Sequence, residues 1–336
     1  MGYDPDPHSV AAALRLGAID ESAPDPAAAA ARADLVVLAA PVDAVASLAG
    51  AVAGRPSPEA TVTDVGSAKQ EAVAAGEAAF GGAFVGGHPM AGSERHGTAA
   101  ATADLFRDAW WILTPTDATS PRAYARVAEM VGVLGAKPVA IGPSQHDSLV
   151  ARLSHVPQLT ASALVDLASG AGDREALLGL AAGGFRDVTR IAASNPDLWV
   201  TILRSNRAEV LRALTTLNDK MTSVAGLLER EAWPELRAWL AGARDNRLEL
   251  FARPDHSGEP AGLSLPVTDR PGVLAEVTTA AGRLGANIED LRIVHSTEGG
   301  HGRLELVVTG ERAADRLAAA LDAMGYRTER TAIVDP

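Results

Sequence analysis

The sequence of 336 residues contains no cysteine, which excludes disulfides and thiolate metal sites and fits a reducing compartment. It also has no excess of positive charge. Thirty Lys and Arg stand against 42 Asp and Glu, a net charge of −12, so neither nucleic acid nor an anionic membrane surface is expected as the main partner. No uninterrupted apolar run reaches the ~18 residues of a membrane span. No basic segment followed by an apolar core opens the chain, so no signal peptide is visible. The eight histidines form no cluster of metal-ligand spacing. Together these absences point to a cytoplasmic protein without a metal site. What remains is 47% hydrophobic and 21% charged, an ordinary globular balance in a chain long enough for two or three domains.

From residue 1 to 142, short apolar runs alternate with helical stretches, the pattern of an α/β domain with a parallel sheet. ADLVVLAAP, TVTDVGS, AFVGGHP, WWILTP and KPVAIGP are its expected strands. Ligands of such sheets bind beyond the carboxyl ends of the strands, which here brings forward Ala40, Pro41, Gly66, Ser67 and His88. From 143 to 253 strand signals give way to helical periodicity in HDSLVARLSHVPQLTASALVDLAS and the segments after it. This is an all-helical domain whose long apolar faces suggest packing against a second copy. Residues 254–262 read as a Pro, Gly and Ser linker, and 263–334 have the βαββαβ order of a small α+β ferredoxin-like domain.

Three stretches carry chemistry. In GGHPMAGSERHG, His88 follows a buried strand, and imidazole with its ordinary pKa of about 6.5 accepts protons near neutrality; alone it reads first as a structural loop cap, and the surrounding motif shifts the reading. In TDVGSAKQ, Ser67 stands at a strand-to-helix junction, either as an N-cap or within hydrogen-bond reach of His88 from the neighbouring strand end. In GGFRDVTRIAASNPDLW, Arg186 and Arg190 are four apart; a guanidinium there suits a carboxylate ligand or a structural ion pair with Asp187 or Asp197.

HPMAGSE, DVGSAK, LSHVPQ and GGFRDVTRIAASNPDLW, in this order, resemble the prephenate and arogenate dehydrogenases of tyrosine biosynthesis, over residues 1 to about 253. The resemblance implies a Rossmann-type domain and a helical dimerisation domain. It implies NAD-dependent oxidative decarboxylation of prephenate to 4-hydroxyphenylpyruvate, with arogenate as the alternative substrate. It assigns His88 as the base that takes the ring hydroxyl proton, Ser67 as its hydrogen-bond partner and Arg190 as the grip on the substrate carboxylate. Ser93, Glu94 and His155 fall on positions that line the substrate pocket. One departure is Gln158, where many prephenate-using members carry a second histidine; a neutral amide penalises the ammonium of arogenate less.

The C-terminal segment, with DRPGVLAEV and GANIEDL, resembles the ACT regulatory domain, which implies Gly272 and Asn287 as effector-binding positions and L-tyrosine as the expected effector. At the other end, MGYDPDP reads as the close of the second strand of a nucleotide-binding unit. Asp4 there would hold the adenosine ribose and favour NAD over NADP, with Ala40, Pro41 and Ser67 completing the cofactor site. No G-x-G-x-x-G occurs in the sequence. The expectation is therefore an incomplete Rossmann sheet whose first strand and glycine loop, about 25 to 30 residues, precede the printed start. A non-catalytic amino-acid sensor that has lost cofactor binding is the alternative of another class, and a 2-hydroxyacid dehydrogenase with an ACT domain is a third.

Overall fold

The computed structural model describes residues 1–91, 101–170, 183–251, 260–268, 272–295 and 301–331. The chain begins with Gly2 in an isolated parallel bridge to Ser22, and α1 (Pro7–Arg15) follows. Asp6 caps that helix by accepting from the amides of His8 and Ser9, with Pro7 in the first turn where no amide is needed. The same device, Asp25 before Pro26, starts α2 (Pro26–Ala30).

The first domain is then built from β1 (Leu35–Leu38), α3 (Val45–Val52), β2 (Thr61–Asp64), α4 (Gln70–Phe80), β3 (Phe84–Pro89), β4 (Trp110–Thr114), α5 (Pro121–Val133) and β5 (Lys137–Ala140). The sheet order is β1-β2-β3-β4-β5. β1, β2 and β3 are parallel, as their apolar runs predict. The β4–β5 pair is parallel within itself but joins β3 antiparallel, with His88 opposite Ile112. The expected all-parallel sheet is thus a parallel sheet with a reversed pair at one side. Such reversed edges are common on doubly wound sheets.

Close packing explains the paired glycines before His88. A Cβ at Gly86 would lie 2.3 Å from Thr114 Oγ1, and one at Gly87 would lie 2.6 Å from the Asp64 carbonyl. Only glycine lets β3 pass between β2 and β4 at this depth. Burial of Val45, Val62, Val73 and Phe84 fastens α3 and α4 to one face of the sheet, each large side chain contributing about 1.5–3 kcal/mol.

The second domain is helical. It comprises α6 (Pro143–Val150), a π-helical turn (Ala151–His155), α7 (Val156–Ser169), α8 (Gly183–Thr189), a 3₁₀ turn (Arg190–Ala193), α9 (Pro196–Ser205), α10 (Arg207–Glu229) and α11 (Trp233–Phe251). α6, the π turn and α7 are continuous in the chain. Pro157 lies in the first turn of α7, where its missing amide and its ring disfavour a regular i→i−4 ladder, so the extra residue of the π turn is accommodated beside it. Among the described residues no helix is long and apolar enough to cross a membrane.

The third domain is β6 (Pro260–Thr268), α12 (Val273–Arg283), β7 (Ile288–His295), β8 (His301–Thr309), α13 (Glu311–Ala323) and β9 (Glu329–Thr331). Its sheet order, β7-β8-β6-β9, is antiparallel, the ferredoxin-like arrangement. β6 starts at Pro260, three residues inside the segment read as linker. A buried cluster runs without interruption from Val85, Leu113 and Val127 of the first domain to Leu263, Leu306 and Leu321 of the third. Gly272, at φ +93° before α12, comes close enough to the loop after β4 that a Cβ would sit 3.4 Å from Asp117.

Candidate active site

The carboxyl ends of β1, β2 and β3 lie on one rim of the sheet. Ala40 and Pro41 follow β1, Ser67 lies between β2 and α4, and His88 is the fifth residue of β3. The helical domain packs on this rim through α6, against the start of α4, and through α9, against the 3₁₀ turn Val42–Ala44 that follows Pro41.

Beneath the rim lies a buried ion pair. Lys69 and Asp64 are both fully buried, and the Lys69 ammonium donates to an Asp64 carboxylate oxygen and, at 2.8 Å, to the Gly87 carbonyl. Asp64 also accepts from the amides of Gly66 at 2.8 Å and Gly87 at 3.1 Å. A buried pair holds when its remaining donors and acceptors are satisfied in this way. Burial lowers the Lys69 pKa, and Asp64 opposes that shift. The pair fixes the backbone one residue before His88.

His88 itself is half-buried. Its Nδ1 is 2.8 Å from Nε2 of His146, whose Nδ1 is 2.7 Å from Oδ1 of Asp147. The two rings meet edge to face with centroids 5.0 Å apart. His146 is wholly buried and Asp147 is 1% exposed. The Asp147 carboxylate also accepts from the amides of Lys69 at 2.7 Å and Gln70 at 2.9 Å, the first turn of α4, where helix amides favour negative charge. Burial pushes the Asp147 carboxyl up, but the hydrogen bonds from His146 and both amides overcome it and leave its pKa below the usual value. His88 is held well below the ordinary imidazole range by burial first, then by the neighbouring His146 and Lys69. It is therefore neutral, and a base, at physiological pH.

His155, expected in the substrate pocket, is 1% exposed. Its Nδ1 is 3.2 Å from the Asn206 amide nitrogen, which also donates to the Asp147 carbonyl at 2.8 Å. Its ring stands edge-on to Trp199. Burial lowers its pKa to about 4. Gln158 is 5% exposed, and its side-chain oxygen Oε1 has no hydrogen-bond partner among the described residues. Arg190 is exposed at the first position of the 3₁₀ turn, which packs on α7.

The expected Ser67–His88 hydrogen bond is absent among the described residues. His146 takes Nδ1 of His88, and the half-buried Ser67 hydroxyl makes no hydrogen bond among the described residues. The strand ends are adjacent as foreseen, but a histidine from the helical domain fills the place. Asp4 is exposed on the extended segment that bridges Gly2 to Ser22, not on a strand of the five-stranded sheet, and one of its oxygens accepts from the Asp6 amide. It borders a groove of about 390 Å³ shared with Tyr3, Val10 and Leu14. In the third domain Gly272 heads α12, and the Asn287 amide donates to Thr309 Oγ1. Ser93 and Glu94 lie outside the described residues. Among the described residues no group of three or more His, Asp or Glu is arranged to hold a metal. His146, Asp147, Asn206 and Asp64 were not singled out by sequence, and Lys69 is legible there only as a residue of the junction after β2. The one signal for the first two is a His-Asp dipeptide just inside the Gly-Pro start of a helix.

A neutral histidine at the carboxyl rim of a parallel sheet, closed over by a helical domain, is the plan of a two-domain α/β enzyme whose ligand lies in the crevice between domains. Comparison with known proteins gives the family. Residues 1–140 match the family described as prephenate dehydrogenase, nucleotide-binding domain, and 142–242 match prephenate dehydrogenase, dimerization domain. Residues 263–326 match an AHAS small subunit-like ACT domain. The chain is 33% identical over 312 residues to the prephenate dehydrogenase of Bacillus subtilis, across 91% of this chain and 84% of that protein. It is 35% identical over 207 residues to the cyclohexadienyl dehydrogenase of Zymomonas mobilis, across 61% of this chain and 70% of that one. Among solved structures it resembles the prephenate dehydrogenase of Aquifex aeolicus in complex with hydroxyphenyl propionate and NAD+, with TM-score 0.69, 34% identity, and 74% and 88% of the two chains covered. It also resembles Synechocystis arogenate dehydrogenase, with TM-score 0.66, 28% identity, and 74% and 90% covered. The chain belongs to the prephenate dehydrogenase family, a family of oxidoreductases.

Proposed function

We propose that this protein oxidatively decarboxylates prephenate to 4-hydroxyphenylpyruvate with NAD+, and that His88 is the base. The carrying observation is His88 itself, half-buried at the sheet rim, with Nδ1 fastened to His146 and a pKa held well below the ordinary range. Its remaining nitrogen, Nε2, is the acceptor for the proton of the ring hydroxyl, at a distance of about 3 Å in the productive complex. The O–H bond breaks as Nε2–H forms. Hydride leaves the same carbon, and loss of carbon dioxide makes the ring aromatic.

The residues present on the rim suit part of a nicotinamide dinucleotide, while the sequence holds no glycine loop to cradle its pyrophosphate. The Ser67 hydroxyl lies half-buried without a hydrogen bond among the described residues, and Ala40 and Pro41 follow β1 at the same rim. These residues would hold the cofactor, and Asp4 would accept from its adenosine ribose and repel a 2′-phosphate. When bound, NAD+ supplies the hydride acceptor. Arg190 would take the substrate side-chain carboxylate as a bidentate pair, and Ser93, Glu94, His155 and Gln158 would line the pocket.

A second reading, arogenate as substrate, is favoured by one observation. The buried Gln158 side-chain oxygen Oε1 lacks a partner among the described residues, and such an acceptor suits an ammonium group. A steady-state assay of both substrates with NAD+ and NADP+ tests these readings. Negligible rates on all four combinations refute the family activity for this chain, and a higher kcat/KM with arogenate selects the second reading.

The assembly proposed is a homodimer through the helical domain. A groove of about 1510 Å³ between α6 and α10 is lined by Leu149, Leu211 and Leu217, and Leu153, Leu214 and Met221 are exposed on the same helices and the π turn. For the third domain, L-tyrosine is the proposed effector, bound near Gly272 and Asn287. Inhibition or a thermal shift by L-tyrosine supports that role, and the absence of both refutes it.

A further inference from the structure

We propose that His146 and Asp147 are positioning residues that fix the tautomer of His88, so that its Nε2 is unprotonated when substrate arrives. The proposal rests on the reading of His88 as the base and adds the machinery behind it.

A neutral imidazole carries its proton on either nitrogen, and only one tautomer leaves Nε2 free to accept. The three-residue chain removes the choice by elimination. Asp147, ionised and anchored by the Lys69 and Gln70 amides, can only accept, so the nitrogen of His146 facing it at 2.7 Å must carry the proton. That leaves Nε2 of neutral His146 as an acceptor. The His88 nitrogen facing it at 2.8 Å must then donate. His88 is thereby held as the Nδ1–H tautomer, and the lone pair for catalysis stays on the other nitrogen.

The same chain serves the next step. Once Nε2 takes the substrate proton, His88 is a cation still donating to His146, with the Asp147 carboxylate behind it. No proton needs to move along the chain for this; the dipole of His146 is already aligned. The arrangement has the logic of a serine-protease triad, in which an amide in place of the carboxylate inverts the histidine tautomer and lowers kcat by about 10⁴. Here one more ring intervenes, so the expected loss is smaller.

Two side chains that are 0% and 1% exposed, in a helix of the second domain, would otherwise be a costly place for a His-Asp pair. A purely structural role needs the pair to satisfy itself and the α4 amides. It does not require the outer nitrogen of His146 to be spent on His88.

The test uses the full chain labelled with ¹⁵N-histidine. In the parent, the ring nitrogen shifts are expected to show both His88 and His146 protonated at Nδ1; a parent His88 protonated at Nε2 overturns the proposal whatever the chain's activity. Asp147→Asn and His146→Leu are expected to lower kcat about 10- to 10³-fold with KM within about threefold, and Asp147→Asn to move the His88 proton to Nε2. His146→Gln can donate to Asp147 and accept from His88, so it is expected to keep the tautomer and to retain kcat within about tenfold. Unchanged kcat in Asp147→Asn and His146→Leu overturns the proposal, as does a His146→Gln variant no better than His146→Leu. If the parent turns over neither prephenate nor arogenate, the functional reading fails, while the nitrogen shifts still decide the tautomer.

Discussion

Replacing Asp64 by Asn would strand the Lys69 ammonium, which is fully buried and, among the described residues, donates otherwise only to the Gly87 carbonyl. Removing one partner of a buried pair costs roughly 3–5 kcal/mol because the survivor has lost both water and counter-charge. At roughly 2–4 °C per kcal/mol for domains of this size, Asp64→Asn is expected to lower the first domain's melting temperature by about 6–20 °C. The loss also has a pH signature. Burial already lowers the Lys69 pKa in the parent, with Asp64 opposing that effect, and without Asp64 the folded-state value falls further. A lysine whose folded pKa is depressed destabilises the fold below that pKa, and the penalty fades as pH rises toward the unfolded value of about 10.4. The stability gap between variant and parent should therefore narrow between pH 7 and pH 10. Denaturant unfolding of both proteins at the two pH values measures the gap. A difference below about 1 kcal/mol at pH 7, or a gap of equal size at both pH values, would refute the reasoning.

Four other outcomes are expected. His88→Asn should lower kcat by about 10²–10⁴-fold, the usual worth of a positioned base, while nicotinamide fluorescence still reports cofactor binding. In the parent, log kcat/KM should be level through neutrality and decline only below the free imidazole value of about 6.5, because burial, His146 and Lys69 hold the His88 pKa down; an acid limb above pH 7 contradicts this. Gly87→Ala drives a methyl to 2.6 Å from the Asp64 carbonyl and 2.9 Å from Trp111 Nε1, so a loss of about 1–3 kcal/mol is expected by calorimetry. Gln158→His should raise the prephenate-to-arogenate ratio of kcat/KM, and an unchanged ratio removes Gln158 from substrate discrimination.

The rim was legible in sequence because strand ends announce themselves. LVVL stops before Ala39 and Ala40, FVGGHP closes on Pro89, and TVTD runs through Val65 into Gly66 and Ser67, which places Ala40, Ser67 and His88 on one edge of a parallel sheet. The direction of β4 and β5 was not legible, since an apolar run reads the same forwards and backwards. The partner of His88 was hidden for another reason. His146 is 58 residues away and comes from the next domain, and no periodicity encodes a contact between domains. Ser67 was the natural guess from strand adjacency alone, and the helical layer displaced it. Gly86 and Gly87 read only as part of the strand AFVGGHP, whereas their role is to let three strands meet around Asp64 and Trp111. Gln158 was found because it departs from a familiar histidine, but its unpaired oxygen is visible only in three dimensions.

Asp147 belongs to the helical domain, and the two amides it accepts from belong to the nucleotide-binding domain. The joint between the two domains and the adjustment of the base are thus one object. Hydrogen bonds of 2.7 and 2.9 Å weaken steeply with distance, so a hinge motion that draws α6 from α4 by even about 1 Å loosens the carboxylate, frees His146 to turn, and lets His88 exchange tautomers. On the proposed tautomer, a cleft joined in this way would carry a set base and one drawn apart would not. The joining of the domains and readiness for proton transfer would then be one equilibrium, and a ligand that biased the first would bias the second by the same free energy.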